Sequence, residues 1–114
     1  MSAITTHVLD TARGKPAAGV PVFLEWVSGQ RGPSVIARGT TDADGRLRDL
    51  LPADQPVAPG TYRLVFDTDA YFADRYQDAF YPEVSVVFTV REAGEHYHVP
   101  LLLSPYGYST YRGS

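Results

Sequence analysis

Short runs of alternating apolar and polar residues fill most of this chain, and clusters of Gly, Pro and Asp separate the runs. Alternation with a period of two is typical of strands that bury one face, and many such runs between turn signals predict a β-sandwich. The runs are Ile4 to Leu9, Val20 to Val27, Val35 to Thr41, the short segment Arg46 to Leu50, Gly60 to Asp67, Val84 to Val90, and two more between His96 and Arg112. The pattern therefore predicts one all-β domain over residues 1–114, a two-sheet sandwich of seven to eight strands.

The segment Ala70 to Tyr76 is the stretch that the pattern predicts to be helical. Tyr71 and Phe72 lie at helical spacing with later residues of the segment, and Asp69 is a suitable N-terminal cap. Pro82 bars a longer helix. We therefore expect one short helix beside the sheets.

Two further segments read as connections. Ser28 to Ser34 contains two glycines and a proline and is predicted to be a loop. Asp42-Ala-Asp44-Gly45 matches the start of a calcium loop, but ligands at the later positions of such a loop are missing. A tight turn is the better interpretation, and it places Arg46 directly after its last residue.

Composition excludes several classes of function. The 114 residues carry a net charge of −3 and no basic run, so nucleic acid is not an expected partner. The absence of cysteine excludes disulfides and thiol catalysis. No apolar run approaches the roughly 18 residues of a membrane span, and the first residues do not resemble a secretory signal. The expected location is therefore the cytoplasm.

The carboxyl-terminal segment carries most of the candidate chemistry. Side chains two residues apart in a strand share a face, so His96 and His98 should point one way. The intervening and following residues Tyr97, Val99, Leu101 and Leu103 should point toward a core. Pro100 suggests an edge, a bulge or a strand end. Ser104-Pro105 then reads as a turn into a terminal strand that is rich in tyrosine.

The histidines admit more than one interpretation. One alternative is that His96 and His98 are ordinary surface or structural groups. A second is that they bind zinc together with the distant His7 and leave one position open for water. No carboxylate lies at a convincing ligand spacing beside the pair, and neutral histidines serve equally well in acid–base catalysis. We therefore expect a site without metal or cofactor, built from His7, Arg46, His98 or His96, Tyr111, Arg112 and Ser114.

Read as a set, the segments resemble the transthyretin-like 5-hydroxyisourate hydrolases. The matching segments are Thr6 to Asp10, Gly14 to Ala17, Thr41 to Arg46, Gly60 to Arg63, Tyr71-Phe72, Phe80 to Pro82 and His96 to Ser114. They cover almost the whole chain in order, and the most specific is the ending Tyr111-Arg-Gly-Ser114. Transthyretin itself, a hormone carrier, resembles this chain in Ser104 to Thr110 but lacks the two-histidine segment and that ending.

The resemblance implies a transthyretin-like two-sheet sandwich that assembles as a homotetramer, a dimer of dimers with active sites at the interface between dimers. It also implies an enzyme of urate degradation that opens 5-hydroxyisourate with water to give 2-oxo-4-hydroxy-4-carboxy-5-ureidoimidazoline. The alternative is a carrier that binds a small aromatic ligand without turnover.

By position, His7, Arg46 and His98 match the site residues of that family, and the ending with Tyr111, Arg112, Gly113 and Ser114 completes the pocket. His7, Arg46, His98 and Ser114 are the expected catalytic residues. His7, Arg46, Tyr111, Arg112 and Gly113 are expected to bind the substrate. The resemblance leaves His96 outside the site, and it does not decide which histidine is the base.

Overall fold

The computed structural model describes residues 2–28 and 34–114. Nine strands and one helix lie within these ranges: β1 (Ile4–Asp10), β2 (Lys15–Pro16), β3 (Pro21–Trp26), β4 (Ser34–Thr40), β5 (Arg46–Leu47), β6 (Gly60–Phe66), α1 (Thr68–Asp74), β7 (Val84–Val90), β8 (Tyr97–Ser104) and β9 (Gly107–Thr110). The count exceeds the prediction because β2, a two-residue strand, forms inside a segment that reads as a turn. Most of the loop predicted from Ser28 to Ser34 lies outside the described residues.

Two sheets pack into the predicted sandwich. One sheet has the strand order β2-β1-β8-β9, with β5 also paired to β1. We name it the groove sheet, because its outer face carries the groove described below. The other has the order β4-β3-β6-β7 and is antiparallel throughout. The first and last long strands of the chain, β1 and β8, run parallel side by side in the groove sheet. The predicted all-β two-sheet sandwich with one short helix is confirmed.

The core forms between the sheets as the alternation predicts. Val22 and Leu24 of β3, and Leu64 and Phe66 of β6, expose 2% of their surface or less. Burying one such side chain contributes about 1.5–3 kcal/mol of transfer free energy. Across the core, the side chains of the groove sheet that pack inward are Ile4, Val8, Tyr97, Val99, Leu101 and Leu103. The opposite face of the groove sheet carries the polar side chains of β1 and β8 that alternate with these residues, such as His7 and His98.

The helix is present, but its cap lies two residues earlier than predicted. The Asp67 carboxylate accepts a hydrogen bond of 3.0 Å from the Ala70 backbone N–H, so Asp67 is the N-cap. Asp69 instead lies in the first helical turn, where its negative charge is also favourable. The hydroxyl of Tyr71 donates a 2.7 Å hydrogen bond to the Asp10 carboxylate, which ties the helix to the end of β1.

Pro100 does not mark an edge or an end of its own strand. It lies inside β8, buried, with β1 on one side and the terminal segment on the other. Proline has no N–H to donate, and the β8–β9 ladder stops at Leu101–Thr110. The Thr110 hydroxyl donates to the Pro100 carbonyl over 2.7 Å, and pairing resumes only where Gly113 bridges His98. Pro100 thus interrupts the pairing of β8 with the terminal segment, whereas the pairing of β8 with β1 continues past it.

Candidate active site

The register between β1 and β8 gathers polar side chains on the outer face of the groove sheet. Thr5 lies opposite His98, and His7 lies opposite Pro100. Their neighbours on both strands point into the core, since Ile4 and Val8 are fully buried. The period of two therefore places Thr5, His7 and His98 together on the face that the core does not use.

The tight turn before β5 delivers Arg46 to the same face. The turn is closed by a 2.9 Å hydrogen bond from the Gly45 N–H to the Asp42 carbonyl, and β5 then pairs Arg46 directly with His7. Gly45 has a φ of +73°, and a Cβ there would collide with the Val8 carbonyl oxygen. Glycine is therefore required for the turn to lie against β1.

One carboxylate organises this turn. An oxygen of Asp42 accepts hydrogen bonds from the backbone N–H groups of Asp44 and Arg46, at 2.8 and 3.0 Å. These bonds, with that from Arg46 first, lower the pKa of Asp42. The other oxygen lies 3.5 Å from the Arg48 guanidinium. Asp42 thereby fixes the backbone that presents Arg46 and restrains the next arginine on that face.

The imidazole of His98 is held on two sides. Its Nδ1 lies 2.8 Å from the Thr5 hydroxyl. On the other edge, the Gly113 N–H donates to the His98 carbonyl over 2.8 Å, and the Gly113 Cα lies so close that an added Cβ would be 2.6 Å from His98 Cδ2. The ring atoms that these contacts leave free are Cε1 and Nε2. Nε2 is therefore the nitrogen that His98 offers to a ligand.

These residues border a groove of about 300 Å³ on the outer face of the sheet. The residues that line it are Thr5, Thr6, Arg46, Arg48, His96, His98 and Ser114. Two guanidinium groups, two imidazoles and three hydroxyl-bearing residues thus surround one small space. This composition suits a planar ligand rich in oxygen and nitrogen, because arginine pairs with such groups in two-point geometry.

Burial and nearby positive charge lower the pKa values of His7 and His98. The pKa of His98 is lowered, first because burial penalises the charged ring and then because Arg46, His96 and His7 are near. The pKa of His7 is lowered by burial and by the Arg46 guanidinium. Since the ordinary histidine pKa is about 6.5, both rings are unprotonated bases at neutral pH.

Similarity to known proteins identifies the family of this chain. The sequence pattern of the HIUase/Transthyretin family matches residues 4–113. This chain belongs to the HIUase/Transthyretin family. It is 50% identical over 111 residues to a 5-hydroxyisourate hydrolase of Salmonella typhimurium, a match that covers 97% of this chain and 80% of that protein.

Solved structures of both branches of the family superimpose closely. The 5-hydroxyisourate hydrolase of Klebsiella pneumoniae is 36% identical, with a TM-score of 0.84 over 100% of this chain and 94% of that one. Transthyretin from Sparus aurata is 33% identical, with a TM-score of 0.90 over 99% and 97%. The fold is therefore common to both branches and does not by itself separate a hydrolase from a carrier.

Two of the predicted site residues, Tyr111 and Arg112, do not line this groove within one chain. Arg112 forms a 3.3 Å ion pair with Glu95, and its guanidinium lies 4.7 Å from the centre of the Tyr97 ring. Tyr111, 58% exposed, and Arg112 line a separate groove of about 220 Å³ beside β7. The reason is the strand period: because Gly113 pairs with His98, its neighbour Arg112 turns to the opposite side of the sheet. Within one chain Arg112 therefore lies away from the histidines of the groove, and its part in binding the substrate stays a prediction.

Three residues of the groove, Thr5, Thr6 and Arg48, are absent from the sequence-based prediction. Thr5 lies two positions before His7, and Arg48 lies two positions after Arg46. Because residues two apart in a strand share a face, the alternation that places His7 and Arg46 on the outer face also places Thr5 and Arg48 there. His96, which the resemblance leaves outside the site, lines the groove as well.

Among residues 2–28 and 34–114, no three His, Asp or Glu side chains are placed to hold a metal ion together. Within the same ranges no helix is long and apolar enough to cross a membrane. A site without metal or cofactor stays a prediction.

Proposed function

We propose that the protein hydrolyses 5-hydroxyisourate to 2-oxo-4-hydroxy-4-carboxy-5-ureidoimidazoline, as a step of urate degradation. The observation that carries this proposal is the union of His98, Arg46 and Ser114 in one groove, with His7 directly beside Arg46, in a chain 50% identical to a protein named 5-hydroxyisourate hydrolase. The reaction class needs a base for water and a cation for a developing oxyanion, and this groove holds both.

His98 is the proposed base. Its Nε2 faces the groove, and its lowered pKa leaves the ring unprotonated at neutral pH. In the proposed step, Nε2 takes a proton from water while the water oxygen attacks a ring amide carbonyl. The C–N bond then breaks, and the imidazolium returns the proton to the leaving ring nitrogen. The balance is one water consumed and no net proton.

Arg46 is the proposed partner of the oxyanion, because the carbonyl oxygen gains negative charge as water adds to it. His7, neutral and opposite Arg46 on the neighbouring strand, is proposed to hold the substrate ring by a hydrogen bond. Ser114 lines the groove, where its hydroxyl is proposed to bind the substrate or the attacking water.

We also propose a homotetramer. Strand β7 is one edge of the antiparallel sheet and β9 is one edge of the groove sheet, and edge strands favour pairing with another chain. Large apolar side chains are exposed near these edges, with Val87 at 54% and Tyr106 at 70%. The groove is open to solvent in one chain, so a second copy over the groove sheet would close it. Assembly through the β7 and β9 edges would also bury Tyr111 and Arg112.

The test is the ultraviolet decay of freshly generated 5-hydroxyisourate, with and without the purified protein and with and without a strong chelator. We expect faster decay with the protein and no effect of the chelator. Decay at the spontaneous rate would refute the hydrolase. Activity lost in chelator and restored by zinc would instead establish the zinc enzyme.

A carrier of a small aromatic ligand is the second candidate, because the fold is shared with transthyretin at a TM-score of 0.90 and does not by itself separate the two functions. The two functions separate in one calorimetric titration. A stable, non-reacting aromatic ligand that binds tightly, together with no acceleration of 5-hydroxyisourate decay, would establish the carrier.

A further inference from the structure

A single hydroxyl joins the two histidines of the carboxyl-terminal segment. Thr5 Oγ1 lies 2.8 Å from His98 Nδ1 and 3.0 Å from His96 Nε2. Both distances are those of good hydrogen bonds. Thr5 is 3% exposed, so the hydroxyl has little access to water as an alternative partner. The two imidazole rings are nearly parallel, with centres 6.4 Å apart.

The hydroxyl has one proton to donate, and this couples the two rings. If Thr5 donates to His96 Nε2, it accepts the proton of His98 Nδ1–H, and the lone pair of His98 is then on Nε2. If Thr5 donates to His98 Nδ1 instead, it accepts from His96 Nε2–H. Neutral His98 then carries its proton on Nε2 and has no lone pair toward the groove.

Only the first arrangement gives a base at the groove. It requires neutral His96 to offer an unprotonated Nε2 to the Thr5 hydroxyl. His96 itself is exposed and needs no contact with the substrate to act in this way. Its effect reaches the reaction through Thr5.

We infer that Thr5 and His96 are positioning residues that hold neutral His98 in the tautomer with its lone pair on Nε2. The inference rests on the proposed function for its catalytic meaning. The tautomer itself is a property of the protein alone, so it can be measured without substrate. The residue that touches the reacting atoms remains His98.

The charged and titratable groups around His98 come from every neighbouring element. They are His7 on β1, Arg46 and Arg48 at β5, His96 on the same segment and the carboxylate of Ser114 at the groove wall. None of them lies within hydrogen-bond distance of His98 Nδ1 in the structure, whereas Thr5 does. Among the described residues, Thr5 is therefore the one that contacts that nitrogen directly through its hydroxyl, and a hydrogen bond with the Thr5 backbone also acts to raise the pKa of His98.

The first experiment reads the tautomer by long-range ¹H–¹⁵N correlation NMR on protein labelled at histidine, at a pH where His98 is neutral. We expect His98 with its proton on Nδ1 in the wild type. Thr5→Val and His96→Leu should move that proton to Nε2, whereas Thr5→Ser and His96→Gln should leave it on Nδ1, because both keep the hydrogen-bonding group. A wild-type proton on Nε2, or an unchanged tautomer in both Thr5→Val and His96→Leu, would overturn the inference.

The second experiment is kinetic. Thr5→Val and His96→Leu should lower kcat by roughly 10- to 100-fold, the usual cost of losing a partner that orients a functional histidine. KM should change little, because neither residue is proposed to bind the substrate. Thr11→Val is the matched control, since Thr11 also donates its hydroxyl to β8, at the Leu103 carbonyl, but lies outside the groove. A fall in kcat that equals that of the control would contradict the inference.

Two safeguards keep the result clear. If Thr5→Val fails to fold, the exposed position His96 still carries the test through His96→Leu. If the wild-type protein does not hydrolyse 5-hydroxyisourate, the proposed function fails, while the NMR result still decides the positioning role.

Discussion

Replacing Gly113 by alanine would place a methyl group where the structure leaves no room for one. The added Cβ would lie 2.6 Å from His98 Cδ2 and 3.3 Å from both His98 Cγ and Pro100 Cγ. Carbon atoms pack comfortably at about 3.5–4.0 Å, so the closest contact falls short by about 0.9 Å. Pro100 is buried and cannot yield, so either the His98 ring or the terminal segment must move by that amount.

The expected cost in catalysis follows from this displacement. A catalytic group displaced by about 1 Å loses roughly 10²-fold in rate, which corresponds to about 2.7 kcal/mol of transition-state stabilisation. The cost in folding is much smaller. Gly113 lies near the chain end, and the one backbone hydrogen bond at risk, to the His98 carbonyl, contributes about 0.5–1.5 kcal/mol.

The assay is kcat/KM from the ultraviolet decay of 5-hydroxyisourate, alongside the free energy of unfolding in urea. Gly107→Ala is the matched control, because an added Cβ there meets only Ser104 Oγ at 3.6 Å, an ordinary contact. We expect Gly113→Ala to lose about a hundredfold in kcat/KM and Gly107→Ala to lose almost nothing. Wild-type kcat/KM in Gly113→Ala would refute the argument that the terminal segment fixes the His98 ring.

Three further predictions concern the groove and the core. His98→Ala and His7→Ala should each lower kcat by roughly 10²–10⁴-fold, the usual contribution of a positioned acid–base group, with circular dichroism unchanged. Because their pKa values are lowered, the acid limb of the kcat/KM profile should lie below pH 6.5. Arg46→Gln should move that limb to higher pH, since a lost positive charge raises both pKa values, whereas Arg46→Lys should lower kcat but leave the limb in place. Leu64→Ala, in the fully buried core, should cost about 2–5 kcal/mol in urea unfolding.

The face of the sheet on which His98 lies could be predicted from the sequence. The alternation around His98 places it opposite Tyr97 and Val99, which the structure buries at 4% and 6% exposure. The same alternation places Thr5, two residues before His7, on the same face as His7. These positions depend only on the local period of a strand, and the local sequence carries that information.

The partners of each strand could not be predicted in the same way. The contact between Thr5 and His98 depends on the parallel register of β1 and β8, and no turn connects these strands to signal it. The position of Arg112 likewise depends on the bridge between Gly113 and His98, where pairing between β8 and the terminal segment resumes after the break at Pro100. Such register is set by the packing of the whole sandwich, and it decides which polar side chains meet.

The order of the strands also determines when the groove can appear during synthesis. All four strands of the antiparallel sheet lie between Pro21 and Val90, so that sheet can pair as soon as this stretch has left the ribosome. The groove sheet needs β1 and β8, the first and nearly the last strands to be made. A nascent chain therefore carries β1 with its parallel edge unpaired until Tyr97–Ser104 emerges. The outer face that holds His98 beside Thr5 is therefore assembled only after the whole antiparallel sheet has been made.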